Sequence, residues 1–360
     1  SWRGNEGFYY SSYDKPKGAS ELSAMTNQHM LYFHALGTAQ QEDQLIFGGS
    51  ETPRRYVGGS VTEDGRYLVV TAAVSTTGNE LYLQDLEKGD KGSLTLVAEG
   101  FDKEYGVVTS ENGQIIIQTN DGAPNNRVMF AQGIQPKSEW KELIPEGEFP
   151  MSVGSGGGRL YVSTMEHAVS KMDEYAYDGT HLQTIELPGV GSVGGFDGKR
   201  SAQRLYFTFT NAITPSAIYS YTPGKEMEAG DIELFRASAI DFDPSQYESE
   251  QVFYMSTDGT KIPMTISYKK GLQKNGKNPT ILYGYGGFNI SLTPSFSTSY
   301  TVWMEQGGIL AIPNIRGGGE YGEAWHVAGT QMQKKNVFED FESAAQYLFD
   351  EGYTSSPYLA

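Results

Sequence analysis

From residue 1 to 245, apolar and polar residues alternate in short runs rich in Tyr, Val, Ile and Leu, and each run ends in a cluster of Gly, Asn, Asp or Pro. Such alternation marks half-buried strands separated by turns. The recurring unit is a strand, a polar link and a second strand. Four clear copies are RYLVVTAAV…NELYLQDL from Arg66, QIIIQTN…NRVMFAQG from Gln114, RLYVSTM…DEYAYDG from Arg159 and RLYFTFT…SAIYSYTPG from Arg204, whose starts lie 48, 45 and 45 residues apart. A looser copy, GFYYSSYD…HMLYFHALG, starts at Gly7 and carries a longer insertion. A steady period of about 45 predicts the four-stranded blades of a β-propeller, which bury their faces only against one another. A β-sandwich uses similar strands without a steady period. Five partial repeats are present and the first starts in mid-unit, which predicts an incomplete first repeat and further blades upstream.

Past Asp243 and Pro244 the pattern changes, so the array is expected to span 1–245 and a second domain 246–360. QVFYMSTDGTKIPMTISYKK, residues 251 to 270, reads as a hairpin turning on Asp258 and Gly259, followed by a polar loop. A strand at Thr280 to Tyr283, a helix around Ser297 to Glu305 and a strand over residues 307 to 315 follow. The segment NVFEDFESAAQYLFDEG places Val337, Phe338, Phe341, Ala345 and Leu348 on one helical face, and Gly352 is suited to end the helix in a left-handed conformation. Strands alternating with helices predict a parallel or mixed sheet, hence an α/β domain.

The stretch ILYGYGGFNI, residues 281 to 290, runs from a buried strand into glycines interleaved with aromatic rings. In α/β sheets ligands bind outside the carboxyl ends of strands, where this loop lies. Glycine there lets the backbone approach a reacting group, and a tyrosine hydroxyl on the loop is able to donate to a developing oxyanion. A tight turn whose tyrosines only pack is the alternative. Neither this stretch nor RGGGEYG at 316 to 322 is followed by the Lys-Ser/Thr pair of a nucleotide phosphate loop.

Composition narrows the function. The formal net charge is −17, without the clustered Lys and Arg that nucleic acid requires, so no nucleic-acid partner is expected. With 38% hydrophobic residues and no apolar run near the length of a membrane span, no membrane association is expected. The absence of cysteine removes disulfide and thiol chemistry. The first residues, SWRGNEGFYY, lack the basic start and apolar core of a signal peptide, and the compartment is left open between cytoplasmic and periplasmic.

A propeller-like array, a hairpin, NPTILYGYGGFNIS, ILAIPNIRGGGEYGEAWH and a helix ending in DEGYTSS, in that order, resemble the prolyl oligopeptidase family of serine peptidases. The likeness is specific over the second part and rests on repeat organisation over the first. It implies the later blades of a seven-bladed propeller followed by the N-terminal portion of an α/β-hydrolase domain, with the propeller acting as a size filter. It also implies cleavage of short proline-containing peptides on the carboxyl side of proline, without a cofactor. The second tyrosine of YGYGGF, Tyr285, matches the family tyrosine whose hydroxyl forms half of the oxyanion hole. Phe288 matches the phenylalanine that lines the pocket for the substrate proline. Arg316, Glu320 and Trp325 fall in the second motif and read as loop scaffold built around a buried ion pair.

No G-x-S-x-G nucleophile elbow is present: GGS at 48–50 and again at 58–60 does not complete it, and Ser267 to Lys270 matches S-x-x-K only by chance. His29, His34, His167 and His181 fall in the array, His326 lies upstream of where a nucleophile would stand, and none has metal-ligand spacing with another. By resemblance the nucleophile, acid and base are expected beyond Ala360, leaving the chain by itself inactive. The alternatives are another propeller-capped hydrolase of acylaminoacyl or dipeptidyl type, and a noncatalytic propeller acting as a binding module. Peptide preference and oligomeric state are not legible.

Overall fold

Among the described residues, five antiparallel sheets of four strands each follow one another along the chain, and each is a meander in which consecutive strands pair. The computed structural model describes residues 1–13, 27–50, 52–224 and 230–360. The strand pairs expected from the repeat are the central pairs of these sheets: Gly7–Ser12 with Met30–Ala35, Tyr67–Ala73 with Glu80–Asp85, Gln114–Thr119 with Arg127–Gln132, Arg159–Glu166 with Val169–Tyr175, and Leu205–Asn211 with Thr214–Thr222. The central strands that are buried on both faces, such as Tyr67–Ala73 and Gln114–Thr119, carry the strongest apolar signal. The outer strands are shorter or more polar and left a weaker trace, as in Thr95–Ala98 and Asp231–Arg236. Where an incomplete first unit was expected the sheet has four strands, the first reduced to Trp2–Arg3. The insertion expected in that unit lies largely outside the described residues.

The chain divides into two compact units, Ser1–Glu146 and Gly147–Ala360. Three sheets fall in the first unit. The second holds the other two together with the α/β segment, so the last two repeats group with the residues that follow them rather than with the earlier repeats.

In the α/β segment the sheet is mixed. The hairpin Tyr247–Met255 and Lys261–Lys269 turns at Gly259 (φ +84°), Ile309–Pro313 pairs antiparallel with Lys261–Lys269, and Thr280–Leu282 lies parallel to Ile309–Pro313. Thr280 forms a further parallel bridge with Leu359. The core is Ile262, Met264, Ile266, Leu282, Ile309, Ala311 and Ile315, covered by Val337, Ala344 and Leu348 of the helix Lys335–Asp350.

That helix departs from the face read in the sequence. Phe338 is 59% exposed, while Asp340 is fully buried in line with Val337, Ala344 and Leu348. Phe338 is one residue on from Val337, a 100° rotation that carries it off the stripe. The stripe is turned so that Asp340 reaches Arg316. Gly352 (φ +74°) ends the helix as expected: its N–H donates to Phe349 O and the Tyr353 N–H to Leu348 O, the two bonds of a Schellman cap.

Candidate active site

The loop 283–290 leaves the end of a buried strand and is fixed at its base, where the Tyr283 N–H donates to Ala311 O at 2.9 Å. Its glycines answer to packing more than to a ligand. A Cβ on Gly284 would lie 3.0 Å from the Phe341 ring, and one on Gly286 (φ +58°) 2.6 Å from Val337 Cγ1 and 2.8 Å from Ile315 Cγ1. Only Gly287 among the three would take a Cβ without a clash, its nearest neighbours being Lys334 Nζ and Tyr285 Cε1, each at an ordinary contact distance of 3.9 Å. The backbone is therefore pressed onto the helix Lys335–Asp350, and the side chains between the glycines are thrown outward. Tyr285 is 43% and Phe288 78% exposed.

Phe288 (φ +53°) and Asn289 (φ +58°) are both left-handed, a conformation that costs non-glycine residues of order 1–3 kcal/mol each and is held only by its surroundings. The holding groups are in the next loop. The Asn289 N–H donates to Gly317 O (3.2 Å) and His326 Nδ1 (3.1 Å), and Ile290 N–H closes a turn on Gly287 O at 3.0 Å. Gly317 (φ +93°) permits this approach, because a Cβ there would stand 2.4 Å from Gly286 O.

Of Arg316, Glu320 and Trp325, expected as loop scaffold around a buried ion pair, only Arg316 makes one among the described residues, and its buried partner is Asp340 of the helix Lys335–Asp350. The Arg316 guanidinium donates to both oxygens of Asp340 (Nη2–Oδ1 2.6 Å, Nε–Oδ2 3.0 Å) and to Asp258 Oδ2 (2.5 Å), while its backbone N–H reaches Asp340 Oδ2 at 3.0 Å. Asp340 also accepts from Ser256 Oγ at 2.6 Å. Hydrogen bonding from Arg316, then from Thr260, holds the Asp258 carboxyl down to about 2. Glu320 is buried and accepts from Leu292 N–H (2.9 Å) and Asn314 Nδ2 (3.2 Å) through Oε1. Its other oxygen and the Trp325 indole N–H have no hydrogen-bond partner among the described residues. Burial pushes the Glu320 carboxyl up despite those donors. Tyr321, raised to about 12 by burial and then by the charge of Glu320, shares a 2.7 Å hydrogen bond with His167.

Tyr285 and Phe288 thus share one exposed, braced loop. The remaining histidines take local roles: His29 accepts from Val57 N–H, and His34 and His181 meet Asp43 and Asp173. Ser267 is buried on its strand against Ser249 Oγ at 2.9 Å, as a chance S-x-x-K match should be. Sequence reasoning missed Ser256, Asp340 and Lys334, and read Asp258 only as a turn residue. The available signal was Asp340, a carboxylate in the middle of an apolar helical stripe.

Residues 1–229 match the family model for the prolyl oligopeptidase N-terminal β-propeller domain, and residues 294–360 the model for the prolyl oligopeptidase family. A prolyl endopeptidase of Elizabethkingia miricola is 52% identical over all of this chain, and one of Dictyostelium discoideum 35%. The chain spans about half the length of each, 50% in both cases. A solved structure from a study of two prolyl endopeptidases superposes with a TM-score of 0.90 at 33% identity, covering 98% of this chain and 51% of the other. A variant of prolyl oligopeptidase B from Galerina marginata, bound to a 35mer hydrolysis and macrocyclization substrate, gives 0.88 at 29% identity, covering 98% and 49%. The architecture is accordingly a partial propeller followed by the start of the hydrolase domain.

Proposed function

Because this chain belongs to the prolyl oligopeptidase family, we propose that it supplies the oxyanion and proline-pocket groups of a serine endopeptidase. The reaction is acyl transfer through a serine, and the substrates are short peptides cut on the carboxyl side of proline. Residues 1–245 are the propeller blades and 246–360 the front of the catalytic domain. The carrying observation is the loop 283–290, which turns Tyr285 and Phe288 outward from a backbone packed on the helix below. In this reading the Tyr285 hydroxyl donates to the tetrahedral intermediate, where negative charge develops, and the Phe288 ring stacks on the substrate proline. Serine acyl transfer needs no cofactor.

No G-x-S-x-G stands in the 360 residues. We place the nucleophile, acid and base outside them. The test uses a succinyl-Gly-Pro chromogenic reporter, with an enzyme of the relatives' full length carrying these 360 residues and with the 360 residues alone. The full-length enzyme is expected to turn over and to be silenced by an active-site serine reagent, and the 360 residues to be inert. Absence of turnover in the former, or reagent label mapping within residues 1–360, overturns the reading.

A further inference from the structure

The N-terminus of the helix Lys335–Asp350 breaks a local rule. Two lysines, Lys334 and Lys335, stand at that end and no acidic side chain lies in the first turn; Lys334 is itself in helical conformation (φ −57°, ψ −24°), its N–H bonded to Gln331 O at 3.2 Å. The positive end of a helix dipole disfavours cations there and favours Asp, Glu, Ser or Thr. Lys335 is compensated by Glu339 one turn on. Lys334 instead reaches back across the loop and donates from Nζ to the carbonyl of Gly286 at 2.7 Å.

Gly286 is the residue after Tyr285, and its carbonyl sits where the backbone has least room. With φ at +58°, it is enclosed by Val337, Ile315 and Arg316 O, and its oxygen meets Gly317. Lys334 Nζ and the Tyr285 ring flank the same glycine, Gly287. Tyr285 is 43% exposed, and the tightly packed backbone of Gly284 and Gly286 on either side fixes where its side chain leaves the loop. A rule broken beside a site and compensated there is the expected sign of a functional constraint.

On the reading given under Proposed function, we propose that Lys334 is a positioning residue for catalysis, fixing the Gly286 peptide and thereby the aim of the Tyr285 hydroxyl. It does not touch substrate. Its effect belongs to the transition state, since only there does an oxyanion form for Tyr285 to meet.

The experiment is a double-mutant cycle in the full-length enzyme, measured on a slow prolyl amide whose chemistry limits the rate. Lys334→Met keeps the stem and deletes the donor, and is expected to lower kcat by about tenfold to a hundredfold, the range for a misplaced catalytic group, with KM within about twofold. Lys334→Arg, which retains a donor, should recover much of the loss. In a Tyr285→Phe background, Lys334→Met should cost less than about twofold, because there is no hydroxyl left to aim. Equal losses in both backgrounds, or a loss in KM rather than kcat, overturn the inference while leaving the oxyanion reading standing. If Tyr285→Phe alone leaves kcat unchanged, the oxyanion reading fails and this inference falls with it. Coincident thermal unfolding of Lys334→Arg and the parent secures the comparison against loss of fold.

Discussion

The blade of residues 151–185 and the α/β segment of residues 247–360 each pair an arginine with a fully buried carboxylate and use the pair differently. In the blade, Arg159 Nη1 donates to Glu174 Oε1 at 2.5 Å, and the two residues stand on adjacent strands 15 positions apart. The fully buried Glu174 also accepts from Gln183 Nε2 (2.5 Å) and from Tyr221 OH of the next blade (2.7 Å). Burial, and then hydrogen bonding from Tyr221 to Glu174, pushes that tyrosine hydroxyl up from its ordinary value. In the α/β segment Arg316 gathers Asp258, Ser256 and Asp340 from 24 to 60 positions away: a hairpin turn, a strand end and a helix. The first network fastens a repeat to its neighbour. The second decides how unlike elements meet, and it lies directly beneath the loop carrying Tyr285.

The sharpest way to break this comparison is Asp340→Ala. Arg316, 5% exposed, would keep only Asp258 among its carboxylate partners, and its backbone N–H and Ser256 would lose their acceptor. Removing one partner of a buried pair typically costs about 3–5 kcal/mol. Urea unfolding of the full-length enzyme, followed by a probe on the α/β segment, should show a loss in that range. A loss under about 1 kcal/mol would mean that apolar packing alone sets the junction.

The two regions also differ in where they keep left-handed residues. His167 (φ +52°) and Ala168 (φ +68°) form the two-residue turn of a hairpin, where such angles match strand twist. Phe288 and Asn289 turn no hairpin; they are the central residues of the turn closed by Ile290 N–H on Gly287 O, braced by Gly317 and His326 of the next loop. Tyr285→Phe in the full-length enzyme keeps the ring and removes the hydroxyl. Loss of one oxyanion donor costs roughly 2.7–4 kcal/mol, a hundred- to a thousandfold in kcat, with KM little changed. Phe288→Ala should instead raise KM. A kcat within about twofold of the parent for Tyr285→Phe would reduce the loop to a turn.

A smaller effect is expected in the blade. Glu174→Gln keeps the shape and removes the charge, and Arg159 retains Gly224 O as an acceptor at 2.6 Å. The loss should be about 1–3 kcal/mol, the cost of a weakened buried hydrogen-bond network. A cost equal to that of Asp340→Ala would show the two networks to be equivalent.

The same contrast explains what the sequence made legible. Blade pairing is local and repeated, so the central pairs could be counted from Arg66, Gln114, Arg159 and Arg204 without knowing a single long-range contact. Tyr285 and Phe288 could be singled out because their motif is contiguous. Asp340 was passed over because an apolar stripe was read by hydrophobicity, and only the fold shows that a carboxylate belongs there opposite Arg316. The roles of Gly284 and Gly286 were misread for a related reason: glycine signals a close approach, but not to what. Here the approach is to Phe341 and Val337, which lie more than 50 positions further along the chain.

The smallest expected effect concerns Glu320, a buried carboxylate of the α/β segment that, unlike Glu174, pairs with no cation among the described residues. Its folded-state value is raised above the unfolded one by burial. The native state therefore holds its proton to higher pH than the unfolded chain does, and stability declines as pH rises from the ordinary glutamate range towards the raised value. Glu320→Gln removes that titration. Any cost that its amide adds at this buried position does not vary with pH. The stability of Glu320→Gln relative to the parent, measured by urea unfolding at pH 4 and at pH 7, should thus move in the variant's favour at the higher pH. A difference independent of pH, or one moving the other way, would mean that Glu320 is ionised in the folded enzyme at little cost, held by Leu292 N–H and Asn314 alone.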